Sequence, residues 1–196
     1  MGSHVNGNLE LLMGSSFYWF GIRNAALSNA EIYQQQQEAL AKALEISKSL
    51  HDSGKITDTM SQKEIVQVYY DYMRSYGVKP FNGYAVMTSG GNNGIIMQYD
   101  TAYSALIRKE AICSGRAAAF ALLMHIEGIP CATLGCHVKG APKDDGHGIT
   151  YLAIDGEGYV VDFGNKKPLQ TLKAARSFLD EIDQYSLELV RAATAR

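Results

Sequence analysis

One segment limits the choice of fold more than any other. Ala117-Ala118-Ala119-Phe120-Ala121-Leu122-Leu123-Met124 runs without a charged or polar side chain between Arg116 and His125, and Gly128 closes it. A helix that is apolar on every side has no face for water, so this one has to be buried. The run falls far short of the roughly 20 residues that cross a bilayer, so the burial is in a protein core and the chain is not expected to span a membrane. A chain of 196 residues can build such a core, because a fold of that size buries about 70% of the surface its unfolded chain exposes. Hydrophobic residues at 46% and charged residues at 19% are globular proportions.

The flanking sequence predicts what surrounds the buried helix. Ile32, Ala39, Leu40, Ala43, Leu44, Ile46 and Leu50 recur at helical spacing across Asn29 to Leu50, with a polar face from Gln34 to Gln37 and Gly54 as the stop. Ser61 followed three residues on by Glu64 is a capping box, opening a second helix through Ile65, Val68, Tyr69, Tyr72 and Met73 to Gly77. The Gly- and Asn-rich stretch between Gly77 and Asp100 predicts a loop that could line a cleft, and Tyr103 to Lys109 a short helix. Ser89-Gly90-Gly91-Asn92-Asn93-Gly94 has neither the lysine of a P-loop nor a strand-to-helix setting, so it is not read as a phosphate cradle.

Downstream, Pro130 to Val138, His147 to Ile154 and Tyr159 to Phe163 alternate or run apolar, and Asp155-Gly156-Glu157-Gly158 is a hairpin signal joining the last two. They predict an antiparallel sheet. Leu169, Leu172, Ala175, Phe178, Leu179, Ile182, Leu187 and Leu189 predict one or two closing helices from Pro168 onward. Helices followed by strands make an α+β fold, with the buried helix packed on a small sheet. Residues 1–28 read as an arm: Met1-Gly2-Ser3-His4 resembles a leftover cloning tag and is followed by the aromatic cluster Phe17-Tyr18-Trp19-Phe20. Residues 29–196 are expected to form one domain, with no internal repeat.

A formal charge of -2 with no long basic stripe argues against a nucleic-acid partner. Cys113, Cys131 and Cys136 are an odd number without paired CxxC spacing, so at least one thiol is free and no structural zinc site is expected. Cys113 stands where the buried helix begins. Unpaired N–H groups and the helix dipole there favour thiolate over thiol, although most free cysteines are small buried hydrophobes, and position alone does not settle it.

A thiol nucleophile needs an imidazole to hold its proton, and the imidazole needs a carboxylate to orient it. His147 opens one predicted strand and Asp162 ends the next, so both can meet at one end of a hairpin. Asp144 and Asp145 are alternative orienters in the loop before His147. His4, His51 and His125 read as structural or incidental. Cys136 and His137 are neighbours on a strand and point to opposite faces, against joint metal binding.

These residues resemble the core of the transglutaminase-like domains, within the papain-like thiol-enzyme superfamily. The resemblance lies in Ala111-Ile112-Cys113-Ser114-Gly115-Arg116-Ala117, Gly128-Ile129-Pro130, Gly146-His147-Gly148 and Tyr159-Val160-Val161-Asp162, with Tyr103-Ser104-Ala105-Leu106 as the short helix upstream; it runs from about Ser61 to Gly164. Arg116 replaces the family's aromatic residue, Gly148-Ile149 its Ala/Trp-Asn, and Phe163-Gly164 its Pro-Thr. The resemblance implies Cys113 as nucleophile, His147 as base and acid, and Asp162 as orienter. An oxyanion hole would combine the Cys113 N–H with a donor from Gln98, Tyr99, Tyr103, Asn82 or Tyr84. Neither the Arg-Gly-Gly of arylamine acetyltransferases nor the paired CxxC of peptide glycanases is present.

The implied activity is acyl transfer from an amide of a protein or peptide substrate through a Cys113 thioester, with hydrolysis by a cysteine peptidase or amidase as the leading expectation. The alternatives are a protein-glutamine cross-linking transglutaminase and a non-catalytic module of the same fold that binds protein or cell-wall polymer. The chemistry needs no cofactor, and no Asp/Asn/Gly loop of the calcium-binding kind is visible. Compartment and oligomeric state stay open; a secreted or cell-surface placement would follow if a targeting segment once preceded the tag-like start.

Overall fold

The computed structural model describes residues 27–81, 97–142, 146–180 and 182. Two helices come first, α1 (Asn29–Asp52) and α2 (Gln62–Ser75). Each starts in a reciprocal capping box, Ser28 with Glu31 and Ser61 with Glu64, which satisfies two of the orphan N–H groups of the first turn. Their inner faces bury Ala39, Ala43, Ile46 and Leu50 from α1 and Val66, Tyr69, Tyr70 and Met73 from α2. A two-residue strand β1 (Lys79–Pro80) pairs in parallel with β2 (Glu110–Ala111). Between them come a 3-10 turn over Met97–Tyr99 and a π-helical turn over Ser104–Arg108, the latter closed by Lys109 in the left-handed region.

The apolar run becomes α3 (Cys113–Ile126), with Phe120, Leu123 and Met124 fully buried. It lies between α1 and α2 on one side and a five-stranded sheet on the other. The strands are β3 (Cys131–Val138), β4 (Gly146–Ile154), β5 (Glu157–Asp162), β6 (Lys167–Thr171) and β7 (Leu179–Asp180), in the order β6-β5-β4-β3-β7, and every neighbour pair is antiparallel. Asp155 and Gly156, both at positive φ, form the two-residue turn between β4 and β5. One face of the sheet packs on α3 through residues such as Leu152, Ile154 and Val161, and the other buries Leu134, Ile149, Tyr151 and Val160 under Leu172, Ala175 and Leu179. That double burial explains why β4 reads as a nearly unbroken apolar strand.

The carboxyl-terminal helices are corrected. Lys167–Thr171 is an edge strand, helix α4 covers only Leu172–Ala175, and Leu179–Asp180 is strand β7. Pro168 suits an edge strand because an edge leaves backbone positions that need no N–H partner, and Thr171 then caps α4 by accepting from the Ala174 N–H. The apolar spacing of Leu169, Leu172, Ala175 and Phe178 is shared between a strand and one helical turn. Leu187 and Leu189, nearly all of the 1–28 arm, Asn82, Tyr84, the Ser89–Gly94 stretch and the Asp144–Asp145 pair lie outside the described residues. Among the described residues no helix is long and apolar enough to cross a membrane.

Candidate active site

The site forms where the start of α3 meets the start of β4. The α3 N-cap, Ile112, offers no side-chain acceptor, so the N–H groups of the first turn are left for another partner. The Cys113 sulfur lies there and accepts the Gly148 N–H of β4 at 3.3 Å. Thr150, two residues further along β4, donates its hydroxyl to the Ala117 carbonyl at 3.0 Å and pins the strand to the helix. The approach is close enough that a side chain at Gly148 has no room: a Cβ there would lie 2.6 Å from the Ser114 Cα and 2.8 Å from its N.

Strand pairing brings the next two groups together. Thr150 of β4 pairs with Val161 of β5 and His147 with Cys136 of β3, so His147 and Asp162 sit near the same end of adjacent strands. His147 Nε2 donates to Asp162 Oδ1 at 2.9 Å, which leaves Nδ1 as the ring nitrogen available to the sulfur. Continuing the β4–β5 register puts Gly164 across from His147, and a Cβ at Gly164 would lie 2.7 Å from His147 Cε1. Asp162 is fully buried, and its remaining partners are Asn165, whose backbone N–H reaches Oδ1 at 3.1 Å and whose Nδ2 reaches Oδ2 at 2.7 Å. Phe163 anchors this end of β5 by stacking on Tyr70 of α2 and meeting Phe120 of α3 edge-on.

The electrostatics follow from that packing. Burial pushes the Cys113 thiol up, but His147 by hydrogen bonding and charge, with the N–H groups of Gly148 and Ser114, outweighs it and holds the thiol below its ordinary value. Burial would lower His147, yet Asp162 and Cys113 together raise it to about 10. Asp162 is likewise pushed up by burial and pulled below the usual carboxylate range by His147 and Asn165. All three shifts favour the charged form of each group: thiolate at Cys113, imidazolium at His147 and carboxylate at Asp162. The other two thiols differ: Cys131 donates to the Ala121 carbonyl and Cys136 to the His147 carbonyl, and burial pushes both up to about 12.

Gln98, Tyr99 and Tyr103 gather around Arg108. Gln98 accepts from its guanidinium, which also lies over the Tyr99 and Tyr103 rings, and Tyr99 stacks on Phe81. The Tyr99 carbonyl accepts the Ile112 N–H, which fixes this cluster beside the start of α3. Arg116, in the place of an aromatic residue, donates to the Val78 carbonyl at 3.1 Å and ties α3 to the segment before β1. His51 meets Glu127, and His137 bonds Asp180 and the Pro142 carbonyl, away from Cys136. Among the described residues no three His, Cys, Asp or Glu side chains converge as a metal site. Gly148, Gly164 and Asn165 were not legible as site residues, since their importance comes from close approach and a turn contact rather than from residue type.

Against known proteins, no family model and no curated protein matches the chain. The solved structures do. A crystal structure of a TGase superposes with a TM-score of 0.51 at 13% identity, over 86% of this chain and 42% of that one. The fold is transglutaminase-like. A candidate cysteine protease from Cytophaga hutchinsonii superposes with a TM-score of 0.44 at 15% identity, over 72% of this chain and 46% of that one. The chain spans less than half the length of either neighbour.

Proposed function

We propose that this transglutaminase-like chain is a thiol-dependent acyl-transfer enzyme acting on amide bonds of a protein or peptide, with hydrolysis as its main outcome. The observation that carries the reading is the hydrogen bond from His147 to buried Asp162, beside a Cys113 thiol at the start of α3 that His147 and the Gly148 N–H hold below its ordinary value. A structural cysteine has no need of an imidazole and a carboxylate behind it, and Cys131, its thiol pushed up, shows what burial alone does.

In the proposed reaction the Cys113 thiolate attacks the amide carbonyl carbon, forming a C–S bond and moving the carbonyl electron pair to oxygen. Backbone N–H groups at the start of α3, left without a side-chain cap, would stabilise that oxyanion. The His147 imidazolium gives its proton to the departing nitrogen as the C–N bond breaks, leaving a thioester and neutral imidazole. Neutral His147 then takes a proton from water, whose oxygen attacks the thioester, and the thiolate leaves with the imidazolium restored. Asp162 holds the ring in one tautomer through both halves.

The test is capture of the acyl-enzyme. The chain is mixed with casein and with peptide amides, quenched in acid and digested, and the Cys113 peptide is weighed by mass spectrometry, with ammonia release and dansyl-cadaverine incorporation followed in parallel. A hydroxylamine-labile acyl adduct on Cys113, absent from Cys113→Ala, supports the reading; free acid as product gives hydrolysis, and cadaverine incorporation gives transamidation. No adduct and no turnover above Cys113→Ala would leave the fold as a binding module.

A further inference from the structure

We infer that Asn165 is a positioning residue for this site: its side-chain amide fixes the orientation and charge of the Asp162 carboxylate on which His147 depends. The inference rests on the thiol-enzyme reading. A fully buried carboxylate is costly unless both oxygens are bonded. Among the described residues Oδ1 has two donors, His147 Nε2 and the Asn165 backbone N–H, whereas Oδ2 has one, the Asn165 Nδ2 at 2.7 Å.

The two Asn165 contacts are not equivalent. The backbone contact reaches three residues along the chain, inside the turn between β5 and β6, and almost any residue at 165 could donate it. The contact to Oδ2 needs a side-chain donor of this length. Without it, Oδ2 can take a proton or the carboxylate can rotate, and either change weakens its hold on the imidazolium. The titratable groups facing Asp162 are His147 on β4, Cys136 on β3 and Tyr70 on α2, and of these only His147 bonds it. Asn165 thus acts on Cys113 at second hand, through Asp162 and His147, and touches no reacting atom.

The experiment compares the pH midpoint of Cys113 alkylation by iodoacetamide, read on the isolated peptide, in wild type, Asn165→Leu, Asn165→Ser, Asp162→Asn and the double variant Asn165→Leu/Asp162→Asn. Circular dichroism and thermal midpoints report folding. The expected result is a folded Asn165→Leu whose midpoint rises by about one pH unit, so that the rate at low pH falls about tenfold. The double variant should lose no more than Asp162→Asn alone, since Asn165 has nothing left to position. Unchanged midpoints in both Asn165 variants, a loss that adds in full to that of Asp162→Asn, or failure of both variants to fold would overturn the inference and leave Asn165 as a turn residue. A wild-type Cys113 that follows the ordinary thiol curve would instead remove the thiol-enzyme reading itself.

Discussion

Gly148→Ala should separate the two halves of the site. The added Cβ would lie 2.6 Å from the Ser114 Cα, 2.8 Å from its Cβ and 2.8 Å from its N. Carbon atoms pack best at roughly 3.5–4.0 Å, so β4 and α3 must part by about 1 Å at this point. All three Ser114 atoms are backbone or next to it, and no side-chain rotation relieves the clash. The Gly148 N–H to Cys113 contact, now 3.3 Å, would stretch to about 4 Å and cease to bond. Overpacking of this kind costs about 1–3 kcal/mol, which for a chain of this size lowers the melting midpoint by roughly 2–10 °C. Loss of one hydrogen bond to a charged acceptor adds about one to two pKa units to the thiol, or a tenfold to hundredfold slower alkylation near pH 6. Gly146→Ala on the same strand is the control, because nothing lies within 4 Å of its added Cβ. Differential scanning fluorimetry and timed alkylation check both effects. If Gly148→Ala melts and reacts like Gly146→Ala, the close approach of β4 to α3 does not hold the thiolate, and the reasoning fails.

Gly164→Ala places a Cβ 2.7 Å from His147 Cε1 and 3.3 Å from Asp162 Oδ1, so it should turn the ring and cut Cys113 reactivity about tenfold or more while the melting midpoint shifts much less; equal reactivity would show that the ring has room to spare. The Asp162 carboxyl is held below its unfolded value, so its contribution to stability is present above about pH 4 and is lost as pH falls through the lower folded value. Urea midpoints measured down the acid range should therefore fall more steeply for wild type than for Asp162→Asn, and parallel curves would contradict that linkage. Far from the site, the Glu127 side chain receives hydroxyls from Ser47 and Tyr69 and faces His51, joining α1, α2 and the end of α3. Glu127→Ala strands two buried hydroxyls and should cost about 2–4 kcal/mol in urea unfolding, with Cys113 reactivity unchanged in the folded protein.

Much of this arrangement was written locally. The apolar run from Ala117 to Met124, the Ser61–Glu64 box and the Asp155-Gly156 turn each fix an element by their own chemistry, and Cys113 and His147 stand at element starts that such signals mark. Asp162 was legible because a tight hairpin sets its register against β4. What escaped depends on distant partners. The β1–β2 pair is two residues long, too short for any alternation to show, and β6 and β7 become strands only because β5 and β3 offer open edges. Gly148, Gly164 and Asn165 look like ordinary turn and strand-end residues until Ser114, His147 and Asp162 are set beside them.

The central claim is an ion pair between the Cys113 thiolate and the His147 imidazolium. It is tested most directly by the ultraviolet absorbance of thiolate, recorded against pH as the difference between the protein and its Cys113→Ser variant, and repeated in a His147→Ala background. The account predicts a Cys113 midpoint below the ordinary thiol value of about 8.5 that moves to that value or above it once His147 is gone. A midpoint at or above the ordinary value in both backgrounds would contradict it.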